Sequence, residues 1–283
     1  MDVDAVLNPS QDAIDDVVER MKRAPRLRIN GKTVWAKCLL QDLGDGRIVK
    51  SGPRVSVDEV KAMLFIRAYT TIPVPEPSMF FVHEDMAHIV MELVEGVPIG
   101  EAFQAGLISE EETRTIAREW RAIAGVIQEL GRRHPHFEFG SWPEGPYNNT
   151  YFYGALPTEP FRSVDAFHAY WNGLLAKSSY LAGDTAHQQL QALREESEPH
   201  APVLAHGDLS PRNILVKDGK LVAVVDWETF GWYPDFWEEM GMWNEVMRRD
   251  LKAIIQDVCG QESEAASVYI GVLSAIDSLN WCT

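Results

Sequence analysis

Three polar side chains stand at spacings that could do chemistry: Asp208 and Asn213 in His206-Gly207-Asp208-Leu209-Ser210-Pro211-Arg212-Asn213, and Asp226 in Asp226-Trp227-Glu228. A carboxylate can orient a hydroxyl and take its proton, while an amide and a second carboxylate can hold magnesium. Together these are the groups that phosphoryl transfer to an alcohol requires. The residues between them must position the set. Apolar runs at 214–217 and 221–225 flank Asp218-Gly219, which predicts a hairpin closed by a type I′ turn. A two-residue turn pairs Lys217 with Lys220 and sets Asn213 opposite Val224, so that Asp226 shares a face with Asn213. Diagonal neighbours lie roughly 7–8 Å apart, a gap that two ligands each about 2.0–2.1 Å from a magnesium ion can close. Singly, each residue has a plainer reading. Asp and Asn at strand ends are usually turn residues, and His206-Gly207-Asp208 could be a fragment of a metal-ligand set. The combination at compatible spacing favours one site.

At these residues the chain resembles the aminoglycoside phosphotransferase and choline kinase family, whose catalytic loop reads H-G-D-x-x-x-x-N with a later I-D-W/F-E-like metal motif. The form H-G-D-L-S-P-R-N, with V-D-W-E and then G-W-Y-P-D-F-W-E, resembles the large fungal branch of that family. The likeness runs from about residue 45 to about residue 245. It implies that Asp208 is the catalytic base and that Asn213 and Asp226 are the magnesium ligands. It further implies an ATP- and Mg-dependent phosphotransferase acting on a hydroxyl of a small molecule, whose identity it leaves open.

Composition narrows the partners. With 42 acidic and 26 basic residues the net charge is −16, which argues against nucleic acid or an anionic membrane, since both want basic faces. An acidic surface is compatible with a cationic or amine-bearing acceptor, although it more often only keeps a protein in solution. Cys38, Cys259 and Cys282 are odd in number and scattered, so no disulfide framework or zinc spacing is visible. No signal-like segment opens the chain and no apolar run could span a bilayer, so a cytoplasmic location is the expectation.

The local signals read as follows. A helix over 10–24 has Ser10 as N-cap and Ile14, Val17, Val18 and Met21 on one stripe. Strands over 33–36 and 47–50 flank the turn Gly44-Asp45-Gly46, and two more lie at 79–82 and 87–91. A helix over 56–70 opens with Ser56 and Glu59 as a capping box; a second box, Ser109 with Glu112, starts a helix running to about Arg133. Further helices are expected near 163–181, 184–197, 235–248 and 262–279. A strand-rich first third and a helix-rich remainder make an α+β chain. The layout matches a two-lobed protein-kinase-like fold, with a small antiparallel-sheet N-terminal nucleotide-binding lobe at 1–95, a hinge at about 92–96 and a larger, mostly helical lobe at 96–283.

Such a fold needs a lysine for the nucleotide phosphates and a helix glutamate to hold it. Lys50 at a strand end and Glu59 on the following helix are the candidates, with Asp58 as the fallback if Glu59 serves only as a cap. Lys50 could otherwise be a solvent-facing strand lysine. In this fold the hinge backbone meets the adenine edge, which points to the Glu92 carbonyl and the Val94 amide, with Ile48 and Leu215 as apolar faces for the purine or as plain core. No G-x-G-x-x-G is present, and Asn30-Gly31-Lys32-Thr33 is a thin candidate for a phosphate-covering loop. The aromatic and acidic run 227–239 could form a cage for an ammonium group or, more simply, a packed wall under the catalytic loop. Tyr147, Tyr151 and Tyr153 sit in a Gly/Pro/Asn-rich stretch that could reach an acceptor. Two other functions fit parts of the pattern: a kinase-like protein that binds nucleotide without transfer, and a metal-dependent hydrolase using His206, Asp208 and Asp226. The H-R-D, D-F-G and A-P-E set of protein kinases is absent.

Overall fold

Residues 77–83 alternate buried and exposed, as a strand with one covered face must, and they belong to the sheet that carries Lys50. The computed structural model describes residues 3–29, 32–33, 38–148, 150–152, 156–176, 181–196, 200–243 and 249–280. In chain order the elements begin with helices α1 (Val3–Leu7) and α2 (Gln11–Met21) and strands β1 (Arg28–Ile29), β2 (Lys32–Thr33), β3 (Leu39–Asp42) and β4 (Arg47–Gly52). Helix α3 (Val57–Tyr69), strands β5 (Pro77–His83), β6 (Met86–Glu92) and β7 (Val97–Pro98), and helices α4 (Ile99–Gln104) and α5 (Glu110–Arg133) follow. Then come β8 (Gly140–Ser141), α6 (Val164–Leu175), α7 (Leu181–Glu196), β9 (Val203–Ala205), β10 (Ile214–Lys217), β11 (Lys220–Val224) and β12 (Gly231–Tyr233). Helices α8 (Trp237–Trp243), α9 (Arg249–Cys259) and α10 (Glu264–Asn280) complete the chain.

The elements form two compact units, Met1–Glu112 with Arg212–Glu228, and Thr113–Pro211 with Thr229–Thr283. The first is built on an antiparallel sheet in the order β3-β4-β6-β5. Ser10 caps α2 by accepting the Ala13 N–H at 3.3 Å, and the stripe Ile14, Val17, Val18 and Met21 packs on Val49, Met79, Phe81 and Val90 of the sheet. The hairpin partner of β4 is β3 rather than the expected run at 33–36, of which 34–36 lie outside the described residues. The reason is local: the Asp42 carboxylate accepts the Gly44 N–H at 2.7 Å, and Gly44 and Gly46 supply φ of 75° and 83°. That tight turn leaves room only for a strand ending at Asp42.

Hairpin β10–β11 joins the first unit because β10 also pairs with β7. The units are therefore discontinuous in sequence, whereas lobes at 1–95 and 96–283 would be continuous. The second unit surrounds an aromatic core that includes Tyr147, Phe152, Phe167, Trp171, Tyr233, Trp237 and Tyr269. Its small sheet has the order β8-β12-β9. The helices expected near 163–181 and 235–248 appear as α6 and α8, with 177–180 and 244–248 outside the described residues. Strands of two or three residues, such as β8, β9 and β12, are too short to show a period, and none was expected. Among the described residues no helix is long and apolar enough to cross a membrane.

Candidate active site

Lys50 lies on β4 and is only 4 % exposed. Its Nζ is 2.8 and 2.9 Å from the two Glu59 carboxylate oxygens, 2.6 Å from Asp226 Oδ1 and 4.0 Å from Glu228. Glu59 reaches it from the first turn of α3. The capping box expected at Ser56 does not form: its side chain makes no cap hydrogen bond, and the Glu59 carboxylate turns inward to the ammonium instead. A buried unpaired ammonium costs more than a missing cap, so the pair wins the carboxylate. Asp58, the fallback, pairs on the surface with Lys61 at 3.2 Å. Burial by itself would lower the Lys50 pKa, but Asp226, Glu59 and Glu228 outweigh it and hold the ammonium well above its ordinary value. Burial pushes the Glu59 carboxyl upward, an effect that Lys50 opposes.

The approach of Asp226 has a different origin from the one its spacing suggested. Lys217 pairs with Lys220 and Val216 with Leu221, but Leu215 then pairs with Ala223 and Ile214 with Val224. A bulge at Val222 shifts the register by one residue. Asn213 ends a one-turn 3₁₀ segment, Pro211–Asn213, and its carbonyl accepts the Val225 N–H at 3.0 Å. It therefore stands opposite Val225 rather than Val224, and the straight two-residue count does not put it on the face of Asp226. The turn itself matches expectation, with Asp218 and Gly219 at φ of 49° and 73°. Asp226 lies past the end of β11 with φ 67°, a left-handed conformation that aspartate tolerates better than most residues. Asn213 is buried, 3 % exposed. Oxygens of Glu59, Asp226 and Glu228 lie within 4.8 Å of one another. The Lys50 ammonium takes both Glu59 oxygens, so a hard divalent cation such as magnesium could be held here only through Asp226 and Glu228.

Near the expected hinge, the Glu92 N–H donates to the Glu76 carbonyl at 2.9 Å and the Leu93 N–H to the Gly46 carbonyl at 2.8 Å. The β3–β4 turn is thereby tied to the end of β6. Val94 and Leu215 are half-buried and Ile48 is buried. A Cβ on Gly96 would lie 2.9 Å from Val222 and 3.3 Å from Leu215, so the bulge can sit here only against glycine. Of the thin phosphate-loop candidate, Asn30 and Gly31 lie outside the described residues, as does Tyr153.

Asp208 belongs to the second unit and is 4 % exposed. Its N–H donates to His206 Nδ1 at 3.3 Å, and its Oδ1 accepts the Tyr151 hydroxyl at 2.8 Å. Gly207 has φ 84°, and a Cβ there would lie 2.4 Å from the Thr229 carbonyl oxygen, so no side chain fits. Glu238, from the first turn of α8, accepts the His206 N–H at 2.5 Å, with the Gly207 and Leu209 amides also bonding toward it. Burial pushes the Glu238 carboxyl up to about 7 against the pull of those amides. Trp237 Nε1 donates to the Gly207 carbonyl at 3.0 Å, Trp120 Nε1 to Leu209 at 3.1 Å, and Thr229 Oγ1 to His206 at 2.8 Å. Every peptide from His206 to Leu209 is thus held by a side chain. Trp232, Tyr233, Phe236, Trp237 and Glu238 are all buried, which is the packed wall rather than an exposed cage. Glu238, Trp120 and Tyr151 were not foreseen as partners of this loop. The W-E pair in the motif was visible, but nothing in its spacing said which backbone it would reach.

These features belong to a kinase-like α+β fold. The sequence profile of the phosphotransferase enzyme family matches residues 43–263. The chain belongs to that family, and it is a small-molecule kinase. No curated protein sequence gives a significant match. Among solved structures, the chain is similar to a thermostable mutant of aminoglycoside phosphotransferase APH(4)-Ia in a ternary complex with ADP and hygromycin B. Identity is 13 %, TM-score 0.64, and coverage 94 % of this chain and 92 % of that one. An aminoglycoside 2'-phosphotransferase-IIIa mutant in its GDP complex is 10 % identical with TM-score 0.61, covering 95 % and 92 %. The macrolide 2'-phosphotransferase MphH from Brachybacterium faecium is 15 % identical with TM-score 0.54, covering 96 % and 93 %.

Proposed function

We propose that the protein transfers the γ-phosphoryl group of ATP to a hydroxyl of a small molecule. The observation that carries this reading is the buried Lys50 ammonium, held by Glu59 at 2.8 Å and by Asp226 at 2.6 Å. A cation so placed, with carboxylates to spare, suits the α- and β-phosphates of a nucleotide. Lys50 would exchange Asp226 for phosphate oxygens, while Glu59 keeps it in position. The Glu92 carbonyl and Val94 amide would meet the adenine edge, and Leu215 would cover one face of the purine. By the family motif Asn213 and Asp226 would hold magnesium, which when bound neutralises phosphate charge, and Glu228 lies near Asp226. Asp208 accepts a hydrogen bond from the acceptor hydroxyl and takes its proton as the new O–P bond forms. In functional terms residues 1–95, joined by 212–228, serve the nucleotide, and the rest of 96–283 supplies Asp208 and the acceptor side.

The acceptor is a small molecule. Similar structures hold hygromycin B or streptomycin, and a net charge of −16 is compatible with an acceptor that carries amines. The same charge disfavours nucleic acid and anionic membranes as partners, and a cytoplasmic location fits the cysteine usage.

The test is ADP release from ATP and magnesium in the presence of a panel of amino-alcohols, aminoglycosides and macrolides, beside a thermal melt. Magnesium-dependent protection by ATP together with acceptor-stimulated ADP release is the expected result. Protection without stimulation by any acceptor would leave a nucleotide-binding protein, and no protection at all would overturn the reading.

A further inference from the structure

The Tyr151 hydroxyl donates to Asp208 Oδ1 at 2.8 Å. On the reading above, Asp208 is the base that receives the acceptor's hydroxyl, so a hydroxyl from the chain itself already sits where an alcohol would bind. Tyr151 is well placed to hold that position. It lies in a one-turn 3₁₀ segment, Thr150–Phe152, whose last residue is buried and stacked on Tyr147 at 4.2 Å. Its ring meets Trp237 edge-on at 5.6 Å, and Trp237 is the residue that bonds the Gly207 carbonyl. Tyr151 itself is half-buried and packs against the edge of the aromatic core rather than within it. A kinase whose base faced bulk water would risk spending its nucleotide on water.

We infer that Tyr151 guards Asp208, occupying the acceptor's place and keeping water from the base until a hydroxyl-bearing substrate displaces it. The reaction it suppresses is hydrolysis of ATP. A water oxygen would bond to the γ-phosphorus while the bond from that phosphorus to the bridging oxygen breaks. ADP would leave with the electron pair, and the water proton would pass to Asp208. Tyr151 thus tunes specificity, choosing alcohol over water, and it takes no part in the bond changes.

The experiment measures ADP release from ATP and magnesium without any acceptor, for the wild type, Tyr151→Phe, Asp208→Asn and the double variant. Tyr151→Phe should raise the rate roughly three- to tenfold, the worth of one hydrogen bond that water must otherwise replace, and Asp208→Asn should abolish the gain. Tyr151→Leu, run in parallel with melting curves, gives the same readout if the phenylalanine variant folds poorly. A rate in both Tyr151 variants at or below the wild type, while Asp208→Asn still lowers turnover, would overturn the guard and leave the base in place. A gain that survives Asp208→Asn would overturn it as well. If no variant changes turnover, both the guard and the assignment of Asp208 fail. Phosphate found on Tyr151 by mass spectrometry would make it an acceptor, not a guard.

Discussion

Lys50 and Asp208 are both 4 % exposed, yet they are held by different means. Around Lys50 the partners are charges: Glu59 and Asp226, with Glu228 behind them. Around Asp208 they are indole N–H groups, hydroxyls and peptide amides, with Glu238 the main carboxylate and itself bound to backbone. A charge cluster is only as good as its balance, because removing one member leaves another buried and unpaired. A loop held at every peptide loses its partners one hydrogen bond at a time. The first arrangement suits a place where an anionic ligand must be exchanged for a carboxylate. The second suits a side chain whose position must not drift.

The largest effect should come from the loop's single reactive group. Asp208→Ala is expected to lower turnover by about 10²–10⁴-fold, the usual worth of a general base, while nucleotide protection in a thermal melt persists. Retained turnover would remove the functional half of the contrast. Next comes the charge cluster. Lys50→Ala strands Glu59 in the interior and should cost about 3–5 kcal/mol in urea unfolding at neutral pH. A cost below about 1 kcal/mol, the range of a surface pair, would mean that Glu59 takes up a proton once Lys50 is gone or that water already reaches the cluster.

Glu238 sharpens the comparison through pH. Its folded pKa is raised to about 7 from an ordinary 4.5, so the folded state binds the proton more tightly. The stability this contributes is fully present below the unfolded value and is lost as pH rises through about 7. Glu238→Gln cannot ionise and should show no such loss. The wild type should therefore lose up to about 3 kcal/mol relative to the glutamine variant between pH 5 and pH 8. Urea unfolding at the two pH values reads this directly, and a pH-independent difference would show that Glu238 stays ionised throughout.

The smallest effect contrasts two serines that read alike in sequence. Ser109 exchanges hydrogen bonds with Glu112, its N–H reaching the carboxylate at 2.7 Å and its hydroxyl at 2.6 Å. Ser109→Ala should cost about 1 kcal/mol. Ser56 makes no cap bond, so Ser56→Ala should fall within about 0.5 kcal/mol of wild type. Equal costs would mean that Glu59 is shared between cap and lysine.

What was legible in the residues follows from the range of the forces involved. The Asp218-Gly219 turn, the Ser109 cap and the α2 stripe are decided within a few residues, and each is found where the sequence points. Two readings with equally local signals still failed. The Ser56 cap lost its partner to Lys50, and the hairpin register slipped at Val222, where β11 packs against Gly96. In both cases a distant group offered more than the local one. The short strands beside the Asp208 loop left no trace because two or three residues carry no period.

The sequence by itself determined the chemistry: which residue types are present, in which order, and with which turns and caps between them. Only the tertiary structure decided how they are partnered. Lys50 and Asp226 are 176 residues apart and Tyr151 and Asp208 are 57 apart. Contacts at such separations form only when burial repays the entropy of closing the chain, and no local preference encodes that repayment.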